Sequence, residues 1–315
     1  MGKGTTPLPS LVREQGLNIL KAYFQILAAC LIWGTYGVFV QKMAYPPEVI
    51  VFFRFFFGAL FLVILSYFTG RISQLRPSSH TGFLFVIGCI NAASWLMMTR
   101  SIMYTSVANG FILLYTAPCF VILLAPFILR EPFEKKSLLA LAVSFAGIIL
   151  IAGSGAGGLK EYNLWGSLLG LSSGILFALY LVALKKLPSG LLGLVTNTYM
   201  SFIIALVTLP LAAPSVFSVT LPDLLELAFM GIMIQAVGTT IYMIGLRKVK
   251  AQHGAILCYF EALFAMLFAA LFLHERITPV FLAGAVLIIG GGLIIALKRK
   301  ERSSAAENCR LPKSN

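Results

Sequence analysis

Apolar residues run on in this chain with almost no interruption. Ten such runs approach the roughly 20 residues that a helix needs to cross a bilayer. They lie at 22–41, 48–67, 81–101, 108–129, 137–153, 163–184, 190–211, 224–246, 252–273 and 278–297. Stretches such as 52–66 and 255–273 are apolar almost throughout, whereas a transmembrane barrel strand alternates apolar and polar residues over about ten positions. The pattern predicts an all-α integral membrane protein with ten transmembrane helices. Residues 1–21 precede them, 298–315 form a basic tail, and no stretch is left over for a soluble domain.

An offset of 144 residues, applied without a gap, lays one half of the chain on the other. Tyr36 meets Tyr180, Lys42 meets Lys186, Gly110 meets Gly254, Tyr115 meets Tyr259, Glu131 meets Glu275 and Gly147 meets Gly291. Matches among Leu and Ile alone would carry little weight in apolar helices. One offset that aligns tyrosines, glutamates, glycines and span boundaries marks an internal repeat, 22–153 and 163–297. Five spans per repeat is an odd number, so the second repeat is expected to enter the membrane from the opposite face. Inverted repeats of this kind give secondary transporters two related conformations and a substrate site near mid-membrane.

Charge then orients the bundle. Nineteen of the 24 basic residues fall in alternate loops and the tail, against four in the other set, and Arg54 lies inside a span. Basic loops collect on the cytoplasmic side, which predicts both termini in the cytoplasm of a cell-membrane protein. The net charge of +13 would suggest nucleic acid in a soluble protein, but clusters between apolar spans act as topology signals, and no nucleic-acid partner is expected. With 59% hydrophobic and 11% charged residues, against about 25% charged in globular chains, disorder, coiled coils and small disulfide scaffolds are excluded. Four of the five cysteines lie within apolar runs, and their spacing suggests neither a disulfide nor a metal framework.

Polar residues inside the spans are the candidates for function. Glu261 lies about nine residues into the ninth span, roughly 13 Å deep at 1.5 Å per residue. A carboxylate there costs on the order of 2.5–3.5 kcal/mol. It should face the bundle interior as a proton-coupling group, a substrate-ammonium site or a packing carboxyl. Arg54, with Thr198 as its repeat counterpart, could pair with Glu261, receive a substrate carboxylate or anchor the second span. Asn91 and Gln235 share one repeat position, and Asn109 and His253 share another. Such pairs suit either a common cavity, with His253 a possible charge partner, or interhelical hydrogen bonds. Trp33, Tyr36, Trp95, Tyr180, Tyr199, Tyr242 and Tyr259 are candidates to line an amphipathic pocket.

Chemistry that would make this an enzyme is not in view. Gly153, Gly155 and Gly158 fit G-x-G-x-x-G, but they follow an apolar helix with no strand, which predicts a loop. There is no Walker loop, and His253 and Glu261 stand about 12 Å apart along one helix, too far for a shared zinc. No cofactor is expected. The expected partners are a small-molecule substrate, membrane lipids and protons, and the oligomeric state stays open.

The chain also resembles the EamA-type members of the drug/metabolite transporter superfamily. The resemblance rests on Trp33-Gly34, Arg54-Phe55 and Phe127-Ile128-Leu129-Arg130-Glu131 in the first repeat. In the second it rests on Phe260-Glu261-Ala262, on the run from Phe272 to Thr278 through His274-Glu275-Arg276, and on Gly284, Gly290, Gly291 and Gly292. Family members usually carry proline where this chain has Ala262, so the resemblance gives less ground for a kinked ninth helix here; the first repeat keeps Pro118. The resemblance implies alternating-access movement of small organic metabolites, amino acids or related solutes, in the export direction. A lipid or lipid-linked-sugar translocase is the alternative, and an intramembrane enzyme a more distant one.

Overall fold

In a computed structural model the chain is described over residues 8–76, 79–105, 107–153, 163–188, 191, 193–272 and 278–308. The predicted motif residues His274, Glu275 and Arg276, the glycines Gly155 and Gly158, Cys309 and the side chain of Asn109 lie outside the described residues. Every regular element is helical. In chain order these are α1 (Leu8–Gly34), α2 (Tyr36–Lys42), α3 (Pro47–Phe68), α4 (Thr81–Tyr104), α5 (Val107–Leu114), α6 (Ala117–Leu129) and α7 (Lys135–Gly153). The second half holds α8 (Leu164–Leu184), α9 (Leu194–Ala212), α10 (Leu221–Met230), a π-helical stretch (Gly231–Gly238), α11 (Thr239–Leu246), α12 (Ala251–Leu257), α13 (Phe260–Phe272) and α14 (Pro279–Asn308).

Among the described residues, eight stretches are long and apolar enough to cross a membrane: Leu17–Val40, Pro47–Phe68, Thr81–Tyr104, Gly110–Leu129, Leu164–Leu184, Leu194–Ser218, Leu221–Leu246 and Ala251–Phe272. The chain is a multi-span membrane protein. α7 and α14, where the sequence predicts the fifth and tenth spans, pack on each other along their lengths. Glycines let them approach: a Cβ on Gly147 would stand 2.6 Å from the Gly284 carbonyl, and one on Gly291 2.8 Å from that of Ala140. Without a hydrophobic drive between helices in lipid, such close backbone contact is what holds neighbours together. Helix starts follow local chemistry. Pro47 and Glu48 open α3, the Asn163 side chain accepts from the Gly166 amide at 3.0 Å to cap α8, and Pro222 opens α10 behind Thr220.

The two repeats pack on one another. α3 lies against its counterpart α9, and the contact of α4 with α8 is matched by that of α1 with α11. At one end, Lys185 donates to the carbonyls of Leu246 (3.0 Å) and Val249 (2.5 Å), Tyr199 donates to that of Leu75 (2.9 Å), and Lys250 meets Glu134. The loops richest in basic residues therefore share that end. At the other end Tyr45 donates to Asp223 at 2.7 Å, and Gly166 sits beside Tyr104 and Thr105.

The main departure from the predicted spans is that three of them are broken in mid-course. α1 gives way to α2 at Thr35, between Gly34 and Gly37; α5 to α6 at Tyr115–Thr116, just before Pro118; and α12 to α13 at Cys258–Tyr259. The ninth span is thus interrupted although Ala262 stands where relatives carry proline. The interruption falls at the same repeat position as the one in the fourth span, and side chains from the other repeat take up the freed carbonyls. Tyr259 donates its hydroxyl to the Tyr115 carbonyl at 2.8 Å, and Cys30 donates its thiol to that of Leu257 at 3.4 Å. Non-helical backbone at membrane depth persists where protein groups satisfy it.

Candidate functional site

The three breaks surround one cavity of about 100 Å³. Trp33 and Tyr36 flank the first break, Tyr115, Ala117 and Pro118 the second, and Cys258 and Glu261 the third. α6 and α13 both begin here, so the positive ends of two helix dipoles face the space. Glu261 lies in the first turn of α13.

Arg54 is the charged group on the far wall. It is only 6% exposed, and its guanidinium carbon lies 4.8 Å from the Tyr36 ring centre, 5.0 Å from Trp95 and 5.4 Å from Phe55. Aromatic faces attract a cation in this geometry, but they leave N–H groups unspent. Its Nε has no hydrogen-bond partner, and among the described residues no carboxylate forms an ion pair with it. Glu261 is near enough to act on it electrostatically. The position of Arg54 is fixed by close packing behind it. A Cβ on Gly231 would stand 2.8 Å from the Arg54 carbonyl, and one on Gly58 2.7 Å from the Gln235 side chain.

Two more buried polar atoms that border the same cavity lack partners, Asn91 Oδ1 and the Tyr242 hydroxyl. Unmet polar groups are rare in protein interiors and costly. Here they border a cavity together with one cation and one carboxylate, which is what a polar solute would need.

Of the residues singled out from sequence, the structure brings Glu261, Arg54, Asn91, Gln235, Trp33, Tyr36, Trp95, Tyr180 and Tyr242 to the cavity. Gln235 faces two ways. Its backbone belongs to the π-helical stretch, and its amide nitrogen is used on Asn197 Oδ1 (2.9 Å) and Ser201 Oγ (3.0 Å). Asn197 returns hydrogen bonds to the carbonyls of Gln235 and Ala236, while Trp33 donates to that of Ile234 at 3.2 Å. Gln235 is thus tied into the α9 contact, while its repeat partner Asn91 keeps a free acceptor. Tyr259 is fully buried behind the lining, at the Tyr115 carbonyl. Tyr199 and His253 sit at the basic end, where His253 joins Tyr23 and Glu134. Sequence reasoning passed over Asn197 and Glu134. Asn197 has Phe53 as its repeat counterpart, so no paired polarity pointed to it, and Glu134 stands in a charged loop beside Lys135 and Lys136.

The sequence signature of the EamA-like transporter family matches residues 20–153 and again 164–297. A protein of Clostridium kluyveri named "Uncharacterized transporter" is 27% identical, over 87% of this chain and 92% of its own length. The "S-adenosylmethionine uptake transporter" of Rickettsia bellii is 25% identical, over 81% of this chain and 85% of that protein. One crystal structure shares the fold with a TM-score of 0.78 at 18% identity, over 89% of this chain and 98% of the solved one.

Proposed function

The chain belongs to the EamA-like transporter family, and from that premise we propose that it carries a small organic zwitterion, an amino acid or a related solute, across the cell membrane by alternating access. The observation that carries this reading is Arg54, a buried guanidinium with an unspent N–H beside the same cavity that Glu261 enters. A planar guanidinium suits a carboxylate, and a carboxylate suits an ammonium. Asn91 Oδ1 and the Tyr242 hydroxyl offer further polar contacts to the solute between them. The cavity volume of about 100 Å³ is small beside the roughly 300–1,000 Å³ of pockets for drug-sized ligands, which favours a solute of amino-acid size. S-adenosylmethionine, named for the Rickettsia relative, also has a carboxylate and an ammonium but is far bulkier.

Two inverted five-helix repeats that rock about the broken helices would expose this cavity to each side in turn. The grouping of basic loops at one end supports both termini in the cytoplasm. We assign export as the direction, on the resemblance to amino-acid exporters; the Rickettsia relative carries uptake in its name, so flux is to be measured both ways. Glu261 is assigned to the substrate ammonium or to a coupled proton, which alternate at one carboxylate. A second opening, between α1, α13 and α14, is lined mainly by apolar side chains such as Leu20, Phe24 and Leu293, with Tyr23 among them, and by no charged group among the described residues, which favours the polar cavity as the solute site.

The test compares metabolites inside and outside cells that express the protein, the Glu261→Gln variant or an empty vector. A small zwitterion that shifts outward with the intact protein and not with the variant supports the reading. Unchanged water-soluble pools, with the protein present in the membrane, overturn it in favour of a lipid substrate. In vesicles, Glu261→Gln is expected to remove the pH dependence of transport; unchanged pH-dependent flux would sink the proton role.

A further inference from the structure

The basic end of the bundle is tied across the two repeats by polar contacts that the substrate cavity does not use. The chain leaves α6 through Arg130, whose left-handed backbone (φ 55°) turns the following residues toward the second repeat. Glu134 there is 8% exposed. One of its carboxylate oxygens takes the Lys250 ammonium at 2.5 Å, and the other lies 3.2 Å from His253 Nε2 and 3.4 Å from the Ser137 hydroxyl that donates to it. The second ring nitrogen of His253 meets the Tyr23 hydroxyl of α1 at 2.9 Å. Glu131 accepts the Ala251 amide at 3.2 Å, and Gln252 donates to the Pro132 carbonyl at 3.3 Å. Lys185, at the end of α8, closes the ring on Leu246 and Val249.

These contacts join the moving parts of the proposed carrier. α12 carries His253 and leads directly into Cys258 at the cavity, and α1 runs from Tyr23 to Trp33, which also lines the cavity, about 15 Å along a helix. Separation of the 130–134 turn from the 249–253 segment would open the basic end. The repeat offset does not place the same four residue types at the opposite end. Glu134 corresponds to Thr278, Lys250 to Ser106, His253 to Asn109 and Tyr23 to Ser167, with no charge among them. At the opposite end, among the described residues, Tyr45 donates to Asp223 instead, and a carrier whose two ends are closed by different contacts does not hold its two conformations at equal energy.

We propose that Glu134, held by Lys250 and His253 with Tyr23 behind, is a latch that keeps the basic end closed and sets the resting conformation. The proposal rests on the alternating-access reading. Burial alone would raise the Glu134 carboxyl, but the hydrogen bonds from Lys250 and His253 outweigh it and hold the group near about 2, so it stays charged at any working pH.

The experiment uses the full chain in right-side-out and in everted membrane vesicles, with a membrane-impermeant methanethiosulfonate as probe. Labelling is read by mass spectrometry at Cys258, a cavity-lining thiol. Glu134→Gln is expected to raise the Cys258 labelling rate at least severalfold from the basic face and to lower it from the other. Glu134→Lys combined with Lys250→Glu is expected to restore the resting pattern. If Glu134→Gln fails to reach the membrane, Tyr23→Phe, which removes only the contact behind His253, is read for a smaller change in the same direction. Labelling unchanged from both faces in a variant present at normal levels overturns the latch. The labelling reads closure whether or not any solute moves. Altered labelling without flux of any zwitterion therefore supports the latch and counts against the substrate reading, and normal flux with unaltered labelling does the reverse.

Discussion

Tyr259 donates its hydroxyl to the backbone carbonyl of Tyr115 at 2.8 Å, and the two residues are 144 positions apart, so each is the other's counterpart in the repeat. Their rings meet edge to face, with centres 6.0 Å apart and planes at 86°. That contact joins the two repeats at the height where the fourth and ninth spans both break. The hydroxyl is also the group that satisfies the carbonyl freed by the first of those breaks.

Tyr259→Phe tests the structural weight of that contact. It keeps the ring and removes only the donor, which leaves the Tyr115 carbonyl unpaired in the interior. An orphaned buried acceptor costs about 1–3 kcal/mol. The expected outcome is a lowered thermal midpoint in detergent with the same oligomeric profile, measured by the loss of monodisperse protein on heating. A midpoint within error of the parent would mean that another group takes over the carbonyl.

Arg54→Lys separates charge from shape at the cavity. Lysine keeps the cation but loses the planar fork and the stacking on Tyr36 and Trp95. Loss of one charged hydrogen bond is worth about 1.5–3 kcal/mol, which corresponds to roughly ten- to a hundredfold in affinity. The expected result is a rise in KM of that size for a carboxylate-bearing solute, with a smaller change for an analogue whose carboxylate is amidated. Equal losses for both solutes would place Arg54 in packing alone.

Much of this was legible in advance, because the signals are intrinsic to the chain. Long apolar runs dictate helices in lipid whatever their neighbours do, and a constant offset survives only if both halves build the same unit. Glu261 and Arg54 stood out for a related reason, since a charge in hydrocarbon needs a purpose. The breaks in the first and ninth spans were not legible. No proline marks either, and each is held open by partners far away in sequence: Gly34 packs against Phe264 and Ala265, and the Leu257 carbonyl is taken by Cys30. The roles of Asn91 and Gln235 diverge for the same kind of reason. A π-helical stretch turns Gln235 toward Asn197, while Asn91 sits in a regular helix with its acceptor unspent.

Glycine substitutions check the close packing behind Arg54. A Cβ at Gly231 would lie 2.7 Å from Phe57 Cβ and 2.8 Å from the Arg54 carbonyl, whereas Gly290 has nothing within 4 Å of that position. Gly231→Ala is expected to destabilise by about 1–3 kcal/mol through overpacking, and transport should fall with it as Arg54 shifts. Gly290→Ala, in the middle of α14, should be neutral or stabilising by up to about 1 kcal/mol, since alanine is the better helix former. The comparison of the two midpoints reads the packing without reference to any substrate, and similar values for both would refute it.

The acid limb of the stability profile reports on Glu134. Its carboxyl falls from the ordinary value of 4.5 to about 2 in the folded protein: burial opposes ionisation, and the hydrogen bonds from Lys250 and His253 overcome it. A group with a depressed folded value stabilises the fold fully above its unfolded value, and the contribution is lost as pH falls through the folded one. The stability that the intact protein holds over Glu134→Gln should therefore be constant from neutral pH down to near 4.5, shrink below it, and vanish by about 2. Thermal unfolding in detergent, followed by intrinsic fluorescence for both proteins across that range, measures the difference. A gap that persists unchanged to pH 2 would show that the carboxylate charge contributes nothing.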